Sequence, residues 1–66
     1  MSKTKQVIPK EVGLTVRTLR AARRISQETL AGRVGLPQNT ISQIELARYR
    51  PTMMEWTRIW NVLTSE

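Results

Sequence analysis

The sequence predicts an all-α domain built from four short helices, with a fifth left open. Hydrophobic residues recur three and four positions apart, which is the spacing of one face of a helix. A strand signal is absent from the sequence apart from the brief apolar pair Val7 and Ile8. The chain has 66 residues, which allow one domain. At this size a core needs well-packed helices or a second subunit, so we expect oligomerisation.

The composition excludes most enzyme chemistry and most metal sites. The chain contains neither cysteine nor histidine, so it has no disulfide framework, no thiolate or imidazole zinc site and no Ser-His or Cys-His pair. Glu28 and Glu55 lie on predicted exposed helices without other catalytic groups, which favours solubilising roles. No run of 18 apolar residues occurs, which predicts a cytoplasmic protein without a membrane span. We expect no enzyme activity, no cofactor and no metal.

The charge of the chain indicates a partner rich in phosphate. The formal net charge is +6 and the pI is near 11.3. Residues 1–33 carry eight basic and two acidic side chains, whereas residues 34–66 carry three of each. The excess positive charge therefore lies in the first half of the chain, and it is the kind of charge that nucleic-acid-binding domains carry.

Residues 1–10 are predicted to form a flexible basic arm, and residues 11–66 the folded domain. The arm is polar and contains Pro9, which suits the approach to a helix. Its lysines are available to contact phosphate or to enter a minor groove: they are Lys3, Lys5 and Lys10.

The first two helices follow from hydrophobic spacing and a cap. A first helix is predicted over residues 11 to about 24, where apolar positions at i, i+4 and i+7 share one face: they are Val12, Val16 and Leu19. Ser26 is a good N-cap for a second helix over residues 27–34, and Glu28 suits its first turn.

A tight turn separates the second helix from a third, predicted over residues 38 to about 47. Gly35 stands where a helix ends in a left-handed residue, and Pro37 stands where the next helix can begin without losing a hydrogen bond. The surrounding apolar residues suit two helices that cross closely about the small Ala31: they are Leu30, Val34, Leu36, Ile41 and Ile44. This arrangement is typical of the helix-turn-helix unit, whose second helix enters the DNA major groove.

The predicted third helix carries a polar, uncharged face. A rotation of 100° per residue places Asn39 and Gln43 opposite Ile41 and Ile44, with Ser42 at the flank. Amide side chains present a donor and an acceptor together and can read adenine in the major groove. The face is therefore a candidate for base recognition, with a merely solvated polar face as the alternative.

These motifs resemble the Xre family, the DNA-binding domains of the Cro and cI repressors of lambdoid phages. The resemblance covers about residues 11–63 and rests on Val16-Arg17-Thr18-Leu19-Arg20, Ser26-Gln27-Glu28-Thr29-Leu30-Ala31, Val34-Gly35, Thr40-Ile41-Ser42-Gln43-Ile44-Glu45 and Pro51. It implies an all-α domain of the lambda-repressor type, usually with five helices. It also implies that the protein binds operator DNA as a two-fold dimer and regulates transcription without a cofactor.

The resemblance assigns roles to individual residues. Four of them fall on the base-reading positions of the family: Gln38, Asn39, Thr40 and Gln43. Gln27, at a helix start whose free amides can hold phosphate, is expected to touch the DNA backbone and to brace Gln38. Arg20 and Glu45 lie near the inward faces of their helices, and by resemblance they form a partly buried ion pair.

Further contacts to the DNA backbone are expected beside the third helix. Arg48 and Arg50 flank Tyr49 just beyond this helix, within reach of phosphates on the neighbouring strand. Ser42 at the edge of the polar face and Lys10 in the arm are predicted to contribute as well. A plain solvated basic loop is the alternative.

The predicted fourth helix, residues 53–63 with Thr52 as its cap, suggests a dimer interface. Its apolar side chains span an arc of about 120°, which is wide for a domain of this size to cover. The fifth helix that shields this surface in the family has no counterpart here, so we expect a homodimer that packs through Met53, Trp56 and Trp60. The alternative is that Trp60 folds back and closes its own core.

The favoured function is a sequence-specific regulator that binds double-stranded DNA, of prokaryotic or phage type, acting as a repressor or controller at a palindromic operator. An antitoxin, or a protein-interaction module built on the same scaffold, is the alternative. A basic amphipathic element at a membrane surface is disfavoured, because the charge spreads over several short helices. The sequence does not define the operator or the direction of regulation.

Overall fold

The computed structural model describes residues 8–65, and these form an all-α domain with a central helix-turn-helix, which confirms the predicted fold class. Lys3 and Lys5 of the predicted arm lie outside this range. Four helices follow in chain order: α1 is Val12–Ala22, α2 is Gln27–Val34, α3 is Gln38–Glu45 and α4 is Met53–Thr64. Each of these four helices lacks the combination of length and apolar character that would allow it to span a bilayer.

The four helices enclose one hydrophobic core. α3 packs on α1 and α2, and α4 packs on the same two helices. Each helix contributes side chains that are almost fully shielded from solvent: Val16, Leu30, Ala31, Val34, Ile41, Ile44, Ile59 and Leu63. α3 buries only two of these side chains, and its amino-terminal residues Gln38 and Asn39 are exposed.

The predicted caps define where α2 and α4 begin. The Ser26 hydroxyl accepts a hydrogen bond from the Thr29 amide at 3.0 Å. Thr52 and Glu55 form a reciprocal capping box, in which the Glu55 amide donates to Thr52 Oγ1 at 3.1 Å and the Thr52 amide donates to Glu55 Oε1 at 2.9 Å. Gly35 ends α2 with a φ of 74°, the left-handed conformation that the turn was predicted to need.

Two helices are shorter than the sequence predicts. α1 ends at Ala22 instead of about residue 24, and α3 ends at Glu45 instead of about residue 47. In both places a residue other than glycine adopts a left-handed conformation: φ is 58° at Arg24 and 62° at Ala47. This conformation is uncommon for residues with a Cβ atom. Neither helix end is marked by a glycine, so the sequence pattern did not indicate where these two helices stop.

Gly13 allows α1 to cross α3 in direct backbone contact. A Cβ atom at this position would overlap the Ile44 carbonyl oxygen and would lie 3.2 Å from the Cα of Glu45. The crossing therefore requires glycine, and it brings α1 against the last turn of α3. Hydrophobic spacing gave no sign of this role, because the contact depends on how the two helices cross.

Candidate nucleic-acid interface

α3 has an apolar inner face and a polar outer face, as the sequence predicts. Ile41 and Ile44 are buried in the core. Five polar side chains of α3 reach solvent: Gln38 and Asn39 are exposed, and Thr40, Ser42 and Gln43 are partly exposed. α3 follows α2 through the short Gly35 turn and packs on it. This is the arrangement of a helix-turn-helix unit, in which the start of the second helix is exposed.

The amide groups on this outer face are free to bind another molecule. The side-chain hydrogen bonds found within residues 8–65 involve other groups, and none of them engages the side chains of Gln38, Asn39 or Gln43. Asn39 and Gln43 are four residues apart and thus lie on one face. Each presents both a donor and an acceptor to solvent without a charge.

An ion pair fixes the carboxyl end of α3 to α1. Arg20 Nε donates to Glu45 Oε2 at 2.7 Å, and Arg20 Nη2 donates to Glu45 Oε1 at 3.0 Å, which makes the pair bidentate. The Glu45 side chain is only 5% exposed and the Arg20 side chain 19%. Hydrogen bonding to Glu45 raises the pKa of Arg20 above its ordinary value; burial acts in the opposite direction. A third bond, from Arg20 Nη1 to the Ile25 carbonyl at 2.9 Å, ties the same side chain to the segment before α2.

Gln27 joins this network, which differs from the expected contact. The resemblance implied that Gln27 braces Gln38 at the start of α3. Instead, Gln27 Nε2 donates to Glu45 Oε1 at 3.0 Å, at the opposite end of that helix. Glu45 offers a buried negative charge, and a donor gains more from such an acceptor than from a neutral amide at the surface.

A shallow cleft of about 260 Å³ lies beside the ion pair. Its walls come from α1, α2 and the end of α3: Arg17, Arg20, Gln27, Ser42, Glu45 and Leu46. The cleft thus brings together Gln27 and Ser42, two of the predicted DNA-backbone residues. It also adds the exposed Arg17, which we did not single out from the sequence. Its position three residues before Arg20 on the same helix was the available signal.

The other predicted backbone residues lie outside this cleft. Arg48 and Arg50 are exposed in the segment between α3 and α4, and Lys10 is exposed just before α1. Between the two arginines, the Tyr49 hydroxyl donates to Glu55 Oε1 at 2.9 Å. This hydrogen bond, more than desolvation, raises the pKa of Tyr49 above its ordinary value.

Part of the outer surface of α4 is apolar, whereas that of α3 is polar. Trp60 is 43% exposed and Met53 42%, whereas Trp56 is partly buried against the core. The two indole rings lie 5.8 Å apart in a tilted arrangement. Trp60 also forms one wall of a groove of about 380 Å³ whose other walls come from α1: Leu14, Thr15, Thr18 and Leu19. Leu14, which is 68% exposed, was not among the predicted interface residues.

Within the part of the chain that the structure covers, no three metal-binding side chains converge. The amino-acid sequence matches a known protein family. A family model described as a helix-turn-helix domain matches residues 11–64. Comparison with curated proteins gives no significant match.

Proposed function

The chain belongs to the helix-turn-helix domain family, and from that premise we propose that it is a sequence-specific regulator that binds double-stranded DNA. In this proposal α3 enters the major groove and reads bases through Gln38, Asn39, Thr40 and Gln43. The resemblance to the Xre family supports a role as a transcriptional repressor or controller at a palindromic operator.

The observation that carries the proposal is the outer face of α3. Among residues 8–65 its side-chain amides have no hydrogen-bond partners, and the helix is anchored on its other side by Ile41, Ile44 and the carboxylate of Glu45. Unpaired donors and acceptors on a rigid helix suit the edges of bases, because amides can pair with adenine N6 and N7. The only acidic side chain of α3 is turned inward and paired, so it does not repel phosphate.

Exposed positive side chains outside α3 support contacts to the DNA backbone. Arg48 and Arg50 follow α3 directly, and Lys10 lies at the entry to α1. We further propose that Gln27 and Ser42 approach a phosphate at the cleft beside the ion pair, together with Arg17. Contacts of this kind position a protein on the duplex and supply affinity for any sequence.

We also propose that the protein binds as a homodimer through Met53, Trp56 and Trp60. Two copies that each carry a net charge of +6 repel each other least where the contact surface is itself uncharged, because like charges then stay farther apart. The exposed side chains at Met53 and Trp60, and the groove beside Trp60, carry no charge. A two-fold dimer places two α3 helices about 34 Å apart, on successive turns of the major groove.

Selection from random duplexes tests the proposal. Full-length protein is mixed with a pool of random double-stranded DNA, and the bound fraction is sequenced. We expect a two-fold symmetric consensus, whose two half-sites reflect the dimer. The variant Gln38→Ala, selected in parallel, should lose preference at one position in each half-site. Absence of any enriched sequence with wild-type protein would contradict sequence-specific binding.

The half-exposed Trp60 favours one alternative function. A protein-interaction module or an antitoxin would use the apolar groove between α1 and α4 to bind another protein. An interaction module that has lost DNA binding predicts no consensus in the selection, whereas an antitoxin that still binds DNA predicts a consensus together with a bound partner protein. An acidic residue at position 39 or 43 would have supported the loss of DNA binding, but both positions carry amides.

A further inference from the structure

The segment between α3 and α4 has a tyrosine at its centre, and the side chain of this tyrosine bonds to α4. It contains Arg48 and Arg50, which are exposed, and Tyr49 between them. Within residues 8–65 the one ion pair present is Arg20–Glu45, so neither of these two arginines is neutralised by a carboxylate there. The segment therefore presents two available positive charges directly after α3.

Both ends of this segment are restrained by the backbone. At the first end, the Arg48 amide donates to the Gln43 carbonyl at 2.9 Å, and Ala47 adopts its left-handed conformation. At the second end, Pro51 is buried, and a proline restricts the residue before it, here Arg50, to extended conformations. Tyr49 is the residue between these two restraints.

The Tyr49 side chain supplies the restraint at the centre. Its hydroxyl donates to Glu55 Oε1, the same oxygen that accepts the Thr52 amide in the capping box of α4. Glu55 is thereby held by the cap and by the tyrosine, and within the described part of the chain it forms no ion pair with either arginine. The tyrosine thus links the arginine segment to the rigid first turn of α4.

On the basis of the proposed DNA binding, we propose that Tyr49 is a positioning residue, whose hydrogen bond to Glu55 holds Arg48 and Arg50 where they contact the DNA backbone. A backbone segment that is already ordered loses less conformational freedom when the side chains it carries bind phosphate. Tyr49 itself needs no contact with DNA for this role. It acts through the two arginines, and its effect is the same for every DNA sequence.

The test measures affinity for a random-sequence duplex across a range of salt concentrations. Tyr49→Phe removes one hydroxyl and keeps the ring, and we expect it to weaken binding about two- to tenfold, the range that one hydrogen bond accounts for. In the variant that lacks both arginines, Arg48→Ala with Arg50→Ala, adding Tyr49→Phe should change affinity no further. The matched control is Ser65→Ala, which removes another exposed hydroxyl bond at the far end of α4 and should bind like wild type.

A spectroscopic measurement follows the hydrogen bond itself. Tyr49 is the sole tyrosine of the chain, so its ionisation is visible as the absorbance of tyrosinate. We expect the pKa of Tyr49 to lie above its ordinary value in wild type and to return toward that value in Glu55→Ala. Equal titration curves for the two proteins would overturn the proposal, because the restraining bond would then be absent in solution.

The affinity measurements separate this proposal from the proposed function. If wild type binds duplex DNA and Tyr49→Phe binds equally well, Tyr49 has no positioning role. An equal loss in the presence and absence of the two arginines would also overturn it, because the hydroxyl would then act on the whole fold. A wild-type protein without affinity for any duplex would overturn the proposed function, and this inference with it.

Discussion

The surfaces that α3 and α4 turn outward differ in chemistry, although the two helices turn similar side chains inward. α3 buries Ile41 and Ile44, and α4 buries Ile59 and Leu63. Outward, α3 presents amides and hydroxyls, whereas one side of α4 presents an indole and two thioethers, those of Met53 and Met54, with Arg58 and Asn61 exposed elsewhere on this helix. The inward residues determine how each helix packs, and the outward residues determine which kind of partner each helix suits.

The two helices are also anchored differently. The last turn of α3 is held by the buried Glu45 carboxylate and by the backbone contact at Gly13. α4 is held at its ends, by the capping box at Thr52 and by a hydrogen bond of 2.8 Å from Arg23 Nη1 to the Ser65 carbonyl. A polar surface that reads bases needs a fixed orientation, whereas an apolar surface tolerates repacking.

The largest effect is expected at the anchor of α3. Glu45→Gln leaves the partly buried Arg20 guanidinium without its counter-charge, and we expect the free energy of unfolding to fall by about 3 kcal/mol. Urea denaturation measures this change. The matched control is Glu28→Gln, because Glu28 is exposed. Similar urea midpoints for the two variants would contradict a stabilising role for the buried pair, and DNA binding should fall only as far as folding does.

The second prediction concerns the α4 surface. Trp60→Gln should weaken self-association by about 2 to 4 kcal/mol, the cost typical of an interface anchor. Analytical ultracentrifugation should then show a folded monomer with unchanged helical circular dichroism and weaker operator binding. Asn61→Ala, an exposed position on the same helix, serves as the control. A wild type that stays monomeric at all concentrations and on DNA, or an unfolded Trp60→Gln, would favour the core-closing role of Trp60.

The third prediction concerns the α3 surface. Gln38→Ala or Gln43→Ala should weaken binding to the selected operator by about 1 to 3 kcal/mol, because one bidentate base contact has this value. Binding to random DNA and the oligomeric state should not change. Fluorescence anisotropy with both duplexes measures the difference. Equal losses on the two duplexes would remove the base-reading role and, with it, the contrast between α3 and α4.

The smallest effect is expected in the segment that joins the two surfaces. Ala47 has a φ of 62°, so Ala47→Gly relieves an unfavourable conformation at some cost in chain entropy. We expect the free energy of unfolding to rise by about 0.5 to 1 kcal/mol. The same substitution inside α1, Ala21→Gly, should lower it by a similar amount. A decrease for both variants would show that position 47 is not left-handed in solution.

Much of the fold follows from local rules that the sequence displays. The N-caps Ser26 and Thr52 and the left-handed Gly35 depend on residue type alone, and the structure contains all three. The ends of α1 and α3 were overestimated because Arg24 and Ala47 turn left-handed without glycine. Tertiary packing holds these residues in place, and a local pattern does not report on it.

The candidate site was predictable only where a single helix defines it. The polar face of α3 follows from the helical rotation of 100° per residue, so its exposed amides could be predicted. The cleft that unites Arg17 with Gln27 and Ser42 depends on how three helices meet, and spacing along one helix does not contain this information. The same holds for the bond from Gln27 to Glu45, whose two residues are 18 positions apart in the chain.

The contact at Gly13 has a consequence for how such a protein can change its target. The angle between α1 and α3 is fixed where main chain meets main chain, without any of the side chains on the outer face of α3. Replacing the amides at positions 38, 39 and 43 therefore leaves the angle between α1 and α3 unchanged. New operator preferences are open to this scaffold through a few surface substitutions, while a single methyl group added at Gly13 would shift every one of those positions at once.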